Sequence, residues 1–74
     1  MNKNEMIREH MEVVGSDGGH VGTVDHLDGD NRIKLTRDDS RDGQHHFIPT
    51  NWVDRVDSTV HLNRPAEKAI GQFQ

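Results

Sequence analysis

Between residues 11 and 62 the apolar positions form short clusters, each closed by glycine, proline, asparagine or aspartate. Met11 and Val13 flank polar Glu12, and Gly15-Ser16-Asp17-Gly18-Gly19 follows, which predicts a strand and then a turn. Val21, Val24 and Leu27 are three apart, a helical spacing, but the segment is short and contains Gly22. A strand bent at Gly22, with its inward face changing along it, fits better. Asp28-Gly29-Asp30-Asn31 tolerates positive φ and should close a hairpin. In Arg32-Ile33-Lys34-Leu35-Thr36 the two apolar residues share one face and the polar ones the other, so a single face is buried. A polar loop ending at Gly43 leads to His45-His46-Phe47-Ile48, a strand stopped by Pro49. Trp52, Val53 and Val56 are spaced as on a helix and predict a single turn that lays the tryptophan over the rest. Thr59-Val60-His61-Leu62 reads as the last strand. Beyond it Asn63 can cap a helix, Pro65 suits its first turn, and Ala66, Ala69, Ile70 and Phe73 form an i, i+3, i+4, i+7 stripe. That pattern predicts a two-turn amphipathic helix ending at Gly71.

Five strands at roughly ten-residue spacing, each buried on one side, in a chain of 74 residues imply a mainly all-β fold. The architecture expected is a small antiparallel β-barrel of about five strands with a short C-terminal helix. Residues 1–9 read as a flexible N-terminal segment, with Ile7 and Met11 four apart as on a frayed helical turn. Residues 10–62 form the domain, and 63–74 a helical tail. Only 30% of the side chains are apolar, which raises the question of disorder. Placement answers it, because fifteen of the twenty-two apolar residues lie between Met11 and Leu62 in turn-bounded clusters. So small a core makes a marginally stable domain that would gain from self-association.

Charge and composition then remove several functions. The formal net charge is −4, and residues 10–62 carry ten carboxylates against five Lys and Arg, a balance of −5. Such a surface repels nucleic acid and anionic membranes, so neither is an expected partner. There is no cysteine, which excludes disulfides, thiolate metal sites and a cysteine nucleophile. No apolar run is long enough for a membrane span or a secretory segment, and a cytoplasmic location is the expectation.

Val13-Val14-Gly15-Ser16-Asp17-Gly18, then Val21-Gly22-Thr23-Val24-Asp25, and later Phe47-Ile48-Pro49 with Trp52-Val53 and Val56 together resemble the PRC-barrel pattern. More narrowly, the run from Ile7 to Asn63 is similar to short stand-alone bacterial proteins grouped as a domain of unknown function related to the PRC-barrel. His10-Met11-Glu12-Val13-Val14-Gly15, Ile33-Lys34-Leu35-Thr36-Arg37 and His45-His46-Phe47-Ile48-Pro49 carry that likeness. PRC-barrels dock proteins, in a photosynthetic reaction-centre subunit and in a ribosome maturation factor, and bring no catalytic set to transfer. The resemblance therefore implies a PRC-barrel-like fold and a protein-interaction or structural module, whose partner is another protein or a second copy in a homodimer.

Among candidate chemistry the six histidines come first. Imidazoles bind Zn²⁺, Ni²⁺ or Cu²⁺ when three or four converge on one point. The candidate ligands are His20, His26, His61 and one of His45 and His46, since the last two point to opposite faces of a strand. A metal- or ligand-binding protein built on them is the alternative function. They also predict pH sensitivity, because acidification toward pH 5 takes the net charge through zero. Asp38-x-Ser40-x-Asp42-Gly43 opens like a calcium loop but has Pro49 where a bidentate Glu is required. Ser16, Ser40 and Ser58 lie in no nucleophile motif, so no enzyme and no cofactor are expected. The interaction surfaces expected are the stripe Ala66, Ala69, Ile70 and Phe73 and a basic patch at Arg32 and Lys34.

Overall fold

The computed structural model of the chain describes residues 6–29, 31–40 and 42–73. The strands are β1 (Glu12–Val14), β2 (His20–Asp28), β3 (Arg32–Leu35), β4 (His46–Pro49), β5 (Val53–Val56) and β6 (Val60–Leu62). A 3-10 turn, Thr50–Trp52, joins β4 to β5, and α1 (Ala66–Gly71) follows β6. All six strands lie in one sheet in the order β4-β3-β2-β1-β6-β5. Neighbours pair antiparallel except β1 and β6, which run parallel through Val13↔Val60 and Val14↔His61.

The mainly β composition and the C-terminal helix agree with the expectation, but the five-stranded antiparallel barrel is corrected. The sheet has six strands, is mixed, and ends in two edges, β4 and β5. The extra strand is β5, at the residues expected to form a helical turn. Its register slips between Val53 and Arg55. A bulge inserts one residue, so Val53 and Val56 both turn inward three residues apart while Asp54 and Arg55 face solvent. Bulged strands thus imitate helical spacing. The same device explains Val21, Val24 and Leu27, because β2 slips against β1 beside Val21 and against β3 between Val24 and His26. The irregularities flank Gly22 rather than fall on it, and they let one strand serve both halves of the sheet.

Ile33, Ile48, Leu62, Val13, Val24 and Val60 are almost fully buried and form the centre of the core. Val21, Trp52, Val53 and Val56 close it, and Ile7, Ala66 and Ala69 join from outside residues 10–62. Residues 1–5 of the segment expected to be flexible lie outside the described residues. Among the described residues no polar or charged side chain is buried, so every titratable group sits at the surface.

The helix is docked by the β1–β2 turn. Gly15 lies so close that a Cβ there would sit 2.2 Å from the Ala66 nitrogen. The Ser16 amide donates to the Arg64 carbonyl at 2.8 Å. The Asp17 carboxylate accepts from the Gly19 amide at 3.0 Å and from the Ala66 amide at 3.2 Å, and these bonds, the Gly19 one first, hold its pKa below the ordinary value. Asp17 therefore caps the helix from another part of the chain. Asn63, the expected cap, instead donates its side-chain amide to the Asn51 carbonyl. The helix has six residues rather than two full turns, and Phe73 lies beyond its end.

Candidate functional site

A cleft of about 360 Å³ opens between the outer ends of β2 and β3, the β3–β4 connection and the tail. Its apolar lining is Val21, Leu35, Ile70 and Phe73, and its polar lining includes His20, Thr36, Asp39, Asp42 and His46. Val21 and Leu35 are core residues whose edges reach the cleft beside Gly22, where an added Cβ would stand 3.2 Å from Leu35 Cδ1. Ile70 and Phe73 are half-buried and complete the floor.

Two histidines are fixed on the rim by carboxylates. At the start of β2, His20 has Nδ1 2.8 Å from Glu12 Oε2 on β1 and Nε2 2.7 Å from Asp39 Oδ2 on the β3–β4 connection. The hydrogen bond with Glu12 is the main cause that raises the His20 pKa above its ordinary value. Asp39 also accepts from Thr23 Oγ1 at 2.7 Å and Thr36 Oγ1 at 3.2 Å. Partial burial opposes ionisation there, but the bonds from Thr23, His20 and Thr36 together hold its pKa below the usual range. Across the cleft His46 stacks on Phe73 with ring centroids 4.6 Å apart. Its Nε2 lies 2.9 and 3.0 Å from the two Asp42 oxygens. Asp42 accepts in addition from Ser40 Oγ at 2.7 Å and the Gln44 amide at 3.1 Å. The Ser40 bond first, and His46 next, lower its pKa to about 2.

The remaining sequence candidates scatter. His45 Nδ1 contacts the Leu35 carbonyl at 2.9 Å, His61 pairs with Asp57 at 3.1 Å, and His26 stands 3.7 Å from Asp25. His26 borders a separate, shallower groove beside Ile7 and Leu27. Among the described residues no three His, Asp or Glu side chains are arranged to hold a metal ion. The tail stripe divides, since Ala66 and Ala69 are spent on the chain's own core while Ile70 and Phe73 line the cleft. Arg32 pairs with Asp28 and lies over the Phe47 ring at 4.6 Å, and Lys34 reaches Asp25 at 4.0 Å. Carboxylates thus answer both cations. The calcium-like loop uses its own Asp42 to fasten Ser40, Gln44 and His46. Glu12, Thr23, Thr36 and Asp39 were not singled out from sequence. The signal available for them was register, because Thr36 pairs through its amide with the Thr23 carbonyl and both side chains meet Asp39.

Fold and site together define a small mixed-sheet β domain with a docked helical tail and a half-apolar, carboxylate-rimmed surface cleft. Among the described residues no helix is long and apolar enough to cross a membrane. The chain belongs to the DUF2171 family, described as uncharacterized protein conserved in bacteria, and matches it over residues 7–70. That span runs from the first core residue, Ile7, through the helix to Ile70, so sheet, turn and tail are one family unit. No curated protein matches the sequence.

Proposed function

We propose that the chain is a non-catalytic binding domain, a PRC-barrel-like module whose cleft receives a basic, apolar segment of a protein partner. The cleft carries the reading. Its floor of Val21, Leu35, Ile70 and Phe73 suits one bulky apolar side chain, and its rim holds Asp39 and Asp42 with Glu12 beside them. Three carboxylates against two histidines leave the rim negative at neutral pH, in keeping with the net charge of −4, and that field favours a lysine- or arginine-bearing segment. The likeness to protein-docking PRC-barrels supports the same class.

Self-association gains less support. The edge strand β5 exposes Asp54 and Arg55 and the other edge, β4, ends in Pro49, and both charge and proline blunt strand addition. Met6 is the one large hydrophobic residue among those described that is exposed. A metal-binding function finds its histidines already engaged one by one with carboxylates or carbonyls.

Gly71 provides the test. It lines the cleft, and a Cβ built on it meets nothing within 4 Å. Gly71→Leu should fill the cleft while leaving the fold in place. Titration of the labelled domain with an alternating Lys-Leu hexapeptide should shift the amides of Val21, Leu35 and Ile70, and Gly71→Leu should abolish those shifts. Shifts scattered over the sheet, or unchanged by the substitution, would refute the cleft as the binding site.

A further inference from the structure

Both ring nitrogens of His20 lie within 2.8 Å of a carboxylate oxygen. An ionised carboxylate only accepts hydrogen bonds, and a neutral imidazole has one N–H. Two such contacts at once therefore require the imidazolium. In that state His20 is an internal cation seated between Glu12 and Asp39, on the rim where the basic group of a partner would bind. Neutral His20 can hold only one of the two, and its other nitrogen turns a lone pair toward an acceptor.

We propose that the cleft is governed by the proton on His20: the imidazolium occupies Glu12 and Asp39 as an internal ligand, and a basic side chain of the partner displaces it, so binding releases a proton from His20 to solvent. The proposal rests on the reading of the cleft as a site for a basic segment and specifies how that site is regulated.

The surroundings of His20 leave few other groups to answer for such an effect. Glu12 faces it from β1 and Asp39 from the β3–β4 connection. Asp39 is itself anchored by Thr23 and Thr36, which are uncharged. The tail contributes Ile70, Gly71 and Phe73 to the cleft, also uncharged. The remaining titratable pair on the rim, Asp42 with His46, is joined by its own hydrogen bonds. The raised His20 pKa is what two acceptors on one imidazole produce. His20 is 45% exposed at its side chain and Asp39 33%, so the exchange takes place at a wetted surface and needs no opening of the core. Linkage then works in both directions: protonation weakens peptide binding, and peptide binding lowers the His20 pKa.

The test uses the full chain and the alternating Lys-Leu hexapeptide. Calorimetric titration at pH 5.5 and pH 8, each in two buffers of different ionisation enthalpy, reads affinity and protons released together. Removing one charge at this distance in a water-like medium is worth about fivefold in affinity, so binding should tighten by about that factor from pH 5.5 to pH 8. Proton release should peak near the His20 midpoint, followed independently by the imidazole resonance. His20→Gln, which keeps a donor and removes the charge, should bind at pH 5.5 more tightly than the parent and release fewer protons. His46→Gln separates the second pair. Binding that is equally tight at both pH values, or proton release undiminished in His20→Gln, overturns the proposal and leaves the cleft as a site. Failure of the peptide to bind at either pH overturns the reading of the site, and the proposal with it.

Discussion

Of the glycines, Gly15 is the one where an added Cβ would come nearest to another atom, the backbone at the start of α1, and replacing Gly15 with alanine isolates what that approach is worth. A Cβ on Gly15 would lie 2.2 Å from the Ala66 nitrogen and 2.8 Å from both the Ala66 Cα and the Pro65 carbonyl carbon. Ordinary contacts between such atoms are about 3.5–4.0 Å, and backbone cannot rotate away as a side chain can. The helix start must retreat by roughly 1 Å or more. That retreat stretches the Ser16 amide bond to the Arg64 carbonyl, now 2.8 Å, and the Ala66 amide bond to Asp17, now 3.2 Å. Each hydrogen bond is worth about 1 kcal/mol. Overpacking adds about 1–3 kcal/mol as Ala66 and Ala69 lose their fit. The expected loss is about 3–5 kcal/mol, and for a domain of this size each kcal/mol moves the midpoint by about 4–8 °C. Thermal unfolding followed by the fluorescence of Trp52, the sole tryptophan, should therefore show a fall of at least about 12 °C for Gly15→Ala. Gly71→Ala is the counterpart, because Gly71 has open space and no left-handed φ. It should raise stability by about 0.5–1 kcal/mol. A Gly15→Ala midpoint within about 4 °C of the parent would show that the helix is not held against the β1–β2 turn, and the argument from close approach would fall.

Ile33 is fully buried at the centre of the core, so Ile33→Val should cost about 0.5–1.5 kcal/mol and Ile33→Ala about 2–5 kcal/mol in urea unfolding. Equal costs for the two would mean that the site collapses around the deletion. Stability should also fall on both sides of a window in pH. Asp42 titrates near 2 in the fold against 3.8 ordinarily, so its contribution is complete above 3.8 and is lost as pH falls toward 2, with Asp17, Asp39 and Asp57 acting in the same direction. The raised His20 pKa has the opposite sign: its contribution is complete below 6.5 and is lost as pH rises through the folded value. The midpoint measured from pH 2 to pH 9 should be highest between about 4 and 6.5, and His20→Gln should flatten the alkaline side. An unaltered alkaline slope in that variant would remove His20 from the account.

Strands marked by strict alternation and flanking turns were legible, whereas a bulged strand and pairings between distant segments were not. β3 showed itself through strict alternation, and the Asp28–Asn31 turn marked its hairpin with β2. β5 was misread because a bulge converts alternation into a spacing of three, which is the helix signal. The parallel pairing of β1 with β6 joins Val13 to Val60, and neither three-residue strand contains anything that distinguishes a parallel from an antiparallel neighbour. Helix capping shows the same limit, since Asn63 has the composition of a cap and stands in the right place, yet Asp17, 49 residues away, takes the Ala66 amide. Local chemistry nominates candidates, and the tertiary approach of the β1–β2 turn selects among them.

The histidines were conspicuous in number but not in arrangement, and the charge balance explains the arrangement found. Asp and Glu number 13 against 9 Lys and Arg, and imidazoles supply hydrogen-bond partners to some of the excess carboxylates. His20, His46 and His61 each lie within 3.1 Å of one. Two of these pairs, Asp42 with His46 and Asp57 with His61, are four residues apart across a turn. Such local pairing spreads the imidazoles over the surface, whereas a metal site needs them converged. His20 differs because it engages two carboxylates brought from β1 and from the β3–β4 connection, and it does so on the rim of the cleft. A cluster assembled from three segments around one ionisable ring is an arrangement that register creates and that pairing across a single turn cannot.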